Sequence, residues 1–140
     1  MDAGPGSGPP SDFSNSYADH RRADAYAALD FPGTYYLAFR DLPAIIGDAP
    51  AGGAALDFGC GAGRSTRFLR RLGFQVVGVD IAEQMLARAR AADPDGDYRL
   101  VPDGDLEGLP ERAYDLVLCA FTFDNIPGWE RKEALFRALG

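Results

Sequence analysis

The stretch Ala54-Ala-Leu-Asp-Phe-Gly-Cys-Gly-Ala-Gly-Arg64 decides how the rest of this sequence is interpreted. Its first five residues form a short apolar run that contains one acid, Asp57, and three glycines follow in a G-x-G-x-G pattern. A helical pattern begins at about Ser65. A strand, a glycine turn and a helix in this order predict a ligand-holding element, because glycines permit tight turns and close approach to a ligand. The first N–H groups of the helix then point at whatever binds there.

The spacing of the glycines separates two cofactor classes. The dinucleotide fingerprint is G-x-G-x-x-G, whereas Arg64 stands at its third glycine position here and Gly63 precedes it. The segment Asp57-Phe58-Gly59-Cys60-Gly61-Ala62-Gly63 resembles the first motif, acid-x-G-x-G-x-G, of the class I (Rossmann-like) S-adenosylmethionine-dependent methyltransferases. The resemblance implies that S-adenosylmethionine is the cofactor and that it is held by Asp57, Gly59, Cys60, Gly61 and Gly63. An NAD-dependent oxidoreductase is the less favoured alternative.

Strand and helix patterns alternate from Ala54 onward, which predicts an α/β fold with a doubly wound parallel sheet. Ligands bind such sheets beyond the carboxyl ends of the strands, where the strand order reverses. The resemblance implies that strand four lies beside strand one, on the side opposite strand two. The predicted strands are residues 54–58, 75–79, 98–101 and 114–120, and the predicted helices between and after them are residues 65–72, 82–92 and 128–139.

Asp80 follows strand two, and an acid at this place can bind both hydroxyls of a ribose. This matches the second motif of the resembled family, and the alternative is an ordinary helix cap. Ile81 follows and packs either on the adenine face or in the core. The segment Asp105-Leu-Glu-Gly-Leu-Pro110 resembles the family segment after strand three. It implies that Asp105 accepts a hydrogen bond from the adenine amino group and that the N–H group of Leu106 reaches a ring nitrogen, unless the segment is a solvated loop.

Strand four leads into the segment Ala120-Phe-Thr-Phe-Asp-Asn125, which in the resembled family lies beside the transferable methyl group. Phe121 is predicted to flank the sulfonium, since an aromatic face attracts a cation. Asp124 and Asn125 are candidates for holding the acceptor, with a plain loop cap as the alternative. Asp115 begins strand four and is expected to have a structural role.

The N-terminal part divides into a predicted disordered tail (residues 1–15), rich in Gly, Pro and Ser, and helices (residues 16–53) that form a lid over the cofactor. Residues 54–140 form the incomplete cofactor-binding domain. Tyr17 and Tyr36 of the lid are candidates for contacting the acceptor, although packing of the helices on the sheet explains such tyrosines equally simply.

The composition of the chain favours some classes of binding partner over others. The net charge is −7, whereas a nucleic-acid-binding surface needs a basic patch, so a small-molecule methyl acceptor is favoured. The two cysteines are too few for a disulfide framework and fit a cytoplasmic protein. No run is long enough to span a membrane, and no metal-ligand spacing is present.

The resemblance implies direct methyl transfer with no protein nucleophile, and we find no Ser–His–acid or Cys–His set, so the catalytic residues are unknown. Members of the family continue beyond the helix that ends this sequence, which predicts a truncated chain with strand four at an exposed sheet edge. Such an edge favours self-association. A non-catalytic module that binds the cofactor or a partner is therefore the second hypothesis.

Overall fold

The computed structural model describes residues 34–47, 49, 50 and 52–140. The predicted tail, the first lid helix with Tyr17, and the side chain of Tyr36 lie outside the described residues. Two short helices open the described part, α1 (Thr34–Arg40) and α2 (Leu42–Ile46). Pro43 lies in the first turn of α2, where its missing N–H is tolerated. The proline therefore begins a new helix after α1.

Strands and helices then alternate as the sequence predicts, with boundaries that differ by one or two residues. The third strand begins one residue earlier than predicted, and a 3₁₀ turn follows it at Pro102–Gly104. A second 3₁₀ turn covers Phe123–Asn125. The elements are β1 (Ala54–Phe58), α3 (Arg64–Arg71), β2 (Gln75–Asp80), α4 (Glu83–Ala92), β3 (Asp97–Leu100), β4 (Leu116–Leu118) and α5 (Trp129–Leu139).

The four strands form one parallel sheet in the order β3-β2-β1-β4, which confirms the predicted fold. The chain moves outward from β1 to β3 and then returns to the other side of β1. This reversal places the switch point between β1 and β4, where ligands bind in open α/β sheets. The structure confirms a structural role for Asp115: its N–H donates to the Ala54 carbonyl (2.8 Å) and its carboxylate accepts from the Ala54 N–H (2.9 Å).

Apolar residues pack against both faces of the sheet. Alternate side chains of β1 point to opposite faces, so neighbouring residues of this strand contact different clusters. Ala55 packs with Leu69 of α3 on one face. Leu56 and Phe58 pack on the other face, with Leu135 of α5 at the margin of that cluster. A parallel strand covered on both faces has an almost continuous apolar sequence, as β1 has. No helix among the described residues has the length and apolar character needed to cross a bilayer.

Candidate functional site

A cavity of about 210 Å³ opens at the carboxyl ends of β1, β2 and β4. Its walls come from the glycine turn, the end of β2, the turn after β3 and the segment after β4, and Phe39 of α1 closes one side. The structure brings together here seven of the residues that the sequence predicts for the site: Gly59, Cys60, Gly61, Asp80, Ile81, Phe121 and Asn125.

Five other predicted site residues do not line this cavity: Asp57, Gly63, Asp105, Leu106 and Asp124. Leu106 packs against the apolar cluster beneath the site. The Asp105 carboxylate accepts the N–H of Glu107 (2.9 Å). Asp103, two residues before Asp105, does line the cavity, and its backbone has a positive φ of 56°. Contacts of Asp57, Gly63, Asp105 and Leu106 with a cofactor, and of Asp124 with the acceptor, stay predictions.

Asp57 lies completely buried below the glycine turn. Its Oδ2 atom accepts hydrogen bonds from the hydroxyls of Ser65 (2.6 Å) and Thr66 (2.7 Å), at the start of α3. Its Oδ1 atom has no hydrogen-bond partner within the described part of the chain. Burial raises the pKa of this carboxyl to about 6, although the two hydroxyls lower it. Asp57 therefore joins the end of β1 to α3 and shapes the site from below.

The buried Asp57 carboxyl makes stability depend on pH. Its pKa is about 6 in the folded chain against 3.8 as the ordinary value, so the folded state holds the proton more tightly. The resulting stabilisation is complete below pH 3.8 and is lost as the pH rises through 6. The shift corresponds to about 3 kcal/mol.

We test this with the substitution Asp57→Asn, which has nearly the same shape and no charge. In urea unfolding at pH 4.5, 6 and 7.5, we expect the wild-type chain to lose about 2 kcal/mol relative to Asp57→Asn between the lowest and the highest pH, because about 1 kcal/mol is already lost at pH 4.5. Groups that titrate in both proteins cancel in this difference. Parallel pH profiles would show that Asp57 ionises with an ordinary pKa.

Asp80 joins the glycine turn to the start of α4. Its Oδ2 accepts the Gly61 N–H (2.8 Å) and its Oδ1 accepts the Ala82 N–H (2.9 Å). Burial raises the pKa of this carboxyl, against the backbone hydrogen bonds that lower it. Asp80 is not the N-cap of α4, because Ala82 occupies that position and Asp80 accepts the Ala82 N–H from two residues earlier. The position of Asp80 in the cavity wall fits the ribose role. An ionised carboxylate has about four acceptor sites, so the two backbone hydrogen bonds leave acceptor sites for a ligand.

The glycine turn is built as predicted, but its close contacts are with the protein itself. Gly59, Gly61 and Gly63 all have positive φ, at 80°, 54° and 79°. A Cβ at Gly59 would lie 2.2 Å from the Thr122 hydroxyl, and one at Gly63 would lie 2.6 Å from the Tyr98 hydroxyl. These two glycines are therefore required by neighbouring side chains, and of the three glycines Gly59 and Gly61 line the cavity.

Tyr98 supports the turn and was not predicted from the sequence. A Cβ at Gly63, Gly78 or Gly96 would lie within 3.0 Å of its ring or hydroxyl. The hydroxyl donates to Asp93 at 2.9 Å. The three glycines that face one buried aromatic residue are far apart in the chain, so only the fold reveals this contact.

The cavity wall also contains a cysteine thiol, that of Cys60, and several arginines. Burial raises the pKa of the Cys60 thiol well above its usual range, so the thiol stays protonated and is a poor nucleophile. Four arginines line the cavity: Arg64, Arg67, Arg88 and Arg131. The Arg131 guanidinium donates to the Asp103 carbonyl at 2.5 Å, which ties α5 to the turn after β3.

The family is decided by a match that covers more than half of the chain. Residues 56–139 match the model of a methyltransferase domain. The chain belongs to this methyltransferase family. This match resolves the choice between cofactor classes that the glycine spacing left open, in favour of the S-adenosylmethionine-dependent methyltransferases.

Relatives and solved structures agree with this methyltransferase assignment. A ubiquinone biosynthesis O-methyltransferase from Xanthomonas axonopodis pv. citri is 33% identical over 82 residues, which cover 56% of this chain and 34% of that enzyme. An S-adenosylmethionine-dependent methyltransferase from Mesorhizobium loti is 34% identical, with a TM-score of 0.56 over 71% of this chain and 46% of that chain. The DhpI–SAH complex is 27% identical, with a TM-score of 0.69 over 89% and 59%. The chain therefore spans about a third of the length of the curated relatives it matches.

The residues present fit the cofactor of this methyltransferase family, S-adenosylmethionine. The partly buried Asp80 carboxylate offers acceptor sites at the end of β2. Ile81 and Phe121 are 41% and 45% exposed and present apolar surface in the same cavity. Apolar walls with a few placed polar groups are the usual composition of a cofactor site.

Proposed function

We propose that this domain holds S-adenosylmethionine by its ribose at Asp80 and that the whole protein transfers the methyl group to a small-molecule acceptor. The observation that carries this proposal is the Asp80 carboxylate, which lines the cavity while its Oδ2 accepts the Gly61 N–H at 2.8 Å. That hydrogen bond sets the acidic group and the glycine turn at a fixed distance. The two ribose hydroxyls then find acceptors that are already positioned.

The contribution of the chain to the reaction is position and orientation. When bound, the cofactor supplies an activated methyl group that needs no protein nucleophile. Ile81 and Phe121 offer apolar surface to the cofactor, and Asp80 holds its ribose. Holding two reactants in line supplies a large part of the rate enhancement in such transfers. We assign no general base.

The proposed chemical class of the methyl acceptor is based on the names of the relatives and on the net charge of this chain. Several curated relatives are named as O-methyltransferases of ubiquinone biosynthesis, so we propose a hydroxyl group on a small organic molecule. The net charge of −7 supports a small acceptor over nucleic acid. Tyr17, Tyr36, Asp124 and Asn125 remain the proposed acceptor contacts, and Phe39 at the cavity wall supports a lid from the N-terminal helices. A cytoplasmic location is part of the same proposal.

Transfer of a labelled methyl group to hydroxylated aromatic compounds tests the proposed activity. The chain is incubated with methyl-tritiated cofactor and a panel of catechols and phenols. Labelled product that depends on both the acceptor and Asp80 supports the methyltransferase. Tight cofactor binding with no transfer to any acceptor would favour the second hypothesis, a binding module. That hypothesis also expects the mass from light scattering to rise with concentration, through pairing at β4.

A further inference from the structure

The segment that follows β4 holds an aromatic residue in an unfavourable backbone conformation. Phe121 has a positive φ of 59°, a region that bulky side chains rarely adopt because Cβ approaches the following carbonyl group. Its side chain is 45% exposed and lines the cavity. A side chain so exposed gains little from core packing, so stability alone does not explain why the strain is kept.

Two hydrogen bonds, and the absence of a side chain at Gly59, hold this conformation in place. The Asn125 side-chain amide donates to the Phe121 carbonyl at 2.8 Å, and the Thr122 hydroxyl donates to the Phe58 carbonyl of β1 at 2.8 Å. Gly59 leaves the space that the Thr122 side chain occupies. The strained residue is therefore fixed from both sides, and the carboxyl ends of β1 and β4 are joined directly beside the cavity.

Local strain that surrounding contacts maintain is concentrated at functional sites. We propose that Asn125 is a positioning residue that acts through Phe121, whose ring forms the wall against which the cofactor packs. This inference rests on the proposed function, and it gives Asn125 a role other than contact with the acceptor. In a relaxed conformation with negative φ, the Phe121 ring would leave the wall and the cavity would open to water.

Two substitutions at Phe121 separate the effect of the aromatic ring on binding from the effect of the backbone strain on stability. Phe121→Ala and Phe121→Gly both remove the ring, but only glycine adopts positive φ without strain. We expect both variants to bind S-adenosylhomocysteine about tenfold more weakly than the wild type, from loss of an aromatic contact. The melting temperature of Phe121→Gly should exceed that of Phe121→Ala by about 4 °C. Titration calorimetry and thermal unfolding of the full chain measure the two effects.

A matched control is provided by Arg112, which also has a positive φ, 53°, and lies outside the cavity wall. Arg112→Gly should likewise melt above Arg112→Ala, while both bind S-adenosylhomocysteine as the wild type does. The action of Asn125 is tested by a double-mutant cycle. Asn125→Ala should weaken binding in the wild-type background and have no further effect in the Phe121→Gly background.

The outcomes distinguish this inference from the proposed function. If the wild-type chain does not bind S-adenosylhomocysteine, the proposed function fails and the inference fails with it. If the wild type binds and Phe121→Gly binds equally well, the inference alone is overturned. Fully additive effects of Asn125→Ala and Phe121→Gly would also overturn it, because they would show that Asn125 acts on the ligand independently of Phe121.

Discussion

Replacing Asp80 by alanine is expected to weaken the affinity for S-adenosylhomocysteine by more than 100-fold. The carboxylate is the proposed acceptor for both ribose hydroxyls, and each hydrogen bond to a charged group contributes about 1.5–3 kcal/mol. The substitution also removes the acceptors of the Gly61 and Ala82 N–H groups, so the glycine turn loses its connection to α4. Titration calorimetry on the purified chain measures the loss.

Two further variants make the Asp80 result specific. Asp80→Asn keeps the size of the side chain and one acceptor oxygen. Its affinity for S-adenosylhomocysteine is therefore expected to lie between that of the wild type and that of Asp80→Ala. Asp95→Ala removes one negative charge in the turn before β3, outside the cavity wall, and should leave the affinity within a factor of two. Unchanged affinity in a folded Asp80→Ala protein would refute the ribose assignment.

Gly59→Ala is expected to have the largest effect on stability, a loss of about 3 kcal/mol in the free energy of unfolding. The added Cβ would meet the Thr122 hydroxyl at 2.2 Å and the Thr122 methyl group at 2.5 Å, on a backbone with φ of 80°. Cofactor affinity should fall with it, because any shift of Thr122 breaks its hydrogen bond to the Phe58 carbonyl. Urea unfolding followed by circular dichroism measures the change.

Gly73→Ala is the matched control, because Gly73 has a φ of 99° and nothing lies within 4 Å of its added Cβ. It has the backbone strain without the clash, so about 1 kcal/mol is expected. Combining Gly59→Ala with Thr122→Ala removes the two closest atoms and should restore part of the stability. Equal losses for Gly59→Ala and Gly73→Ala would show that contact with Thr122 is unimportant.

The sequence predicted the fold because its signals are local. The strand before the glycines, the turn and the placement of Asp80 at the end of β2 follow from short-range patterns of apolar residues and glycine. These patterns identify the order of elements, and parallel strands have only a few ways to be connected. The position of β4 beside β1 came from the family resemblance and is confirmed.

The details of the site could not be predicted from the sequence because they depend on contacts between residues that are distant in the chain. The sequence shows an acid before the glycines, but only the fold shows that Asp57 is buried against the hydroxyls of α3. Likewise, the 3₁₀ turn after β3 brings Asp103 into the cavity wall and leaves Asp105 outside it. The positive φ of Phe121 has no signal in composition or periodicity, since glycine is the residue expected there.

Calorimetric titration of the wild-type chain with S-adenosylhomocysteine, and with NADH as the control, tests the central claim most directly. Both ligands contain adenosine, so a difference in affinity reports on the group that is attached to the adenosine. We predict micromolar binding of S-adenosylhomocysteine and no binding of NADH. Binding of NADH, or no binding of S-adenosylhomocysteine by a sample that circular dichroism shows to be folded, would contradict the assignment of this cavity to the methyltransferase cofactor.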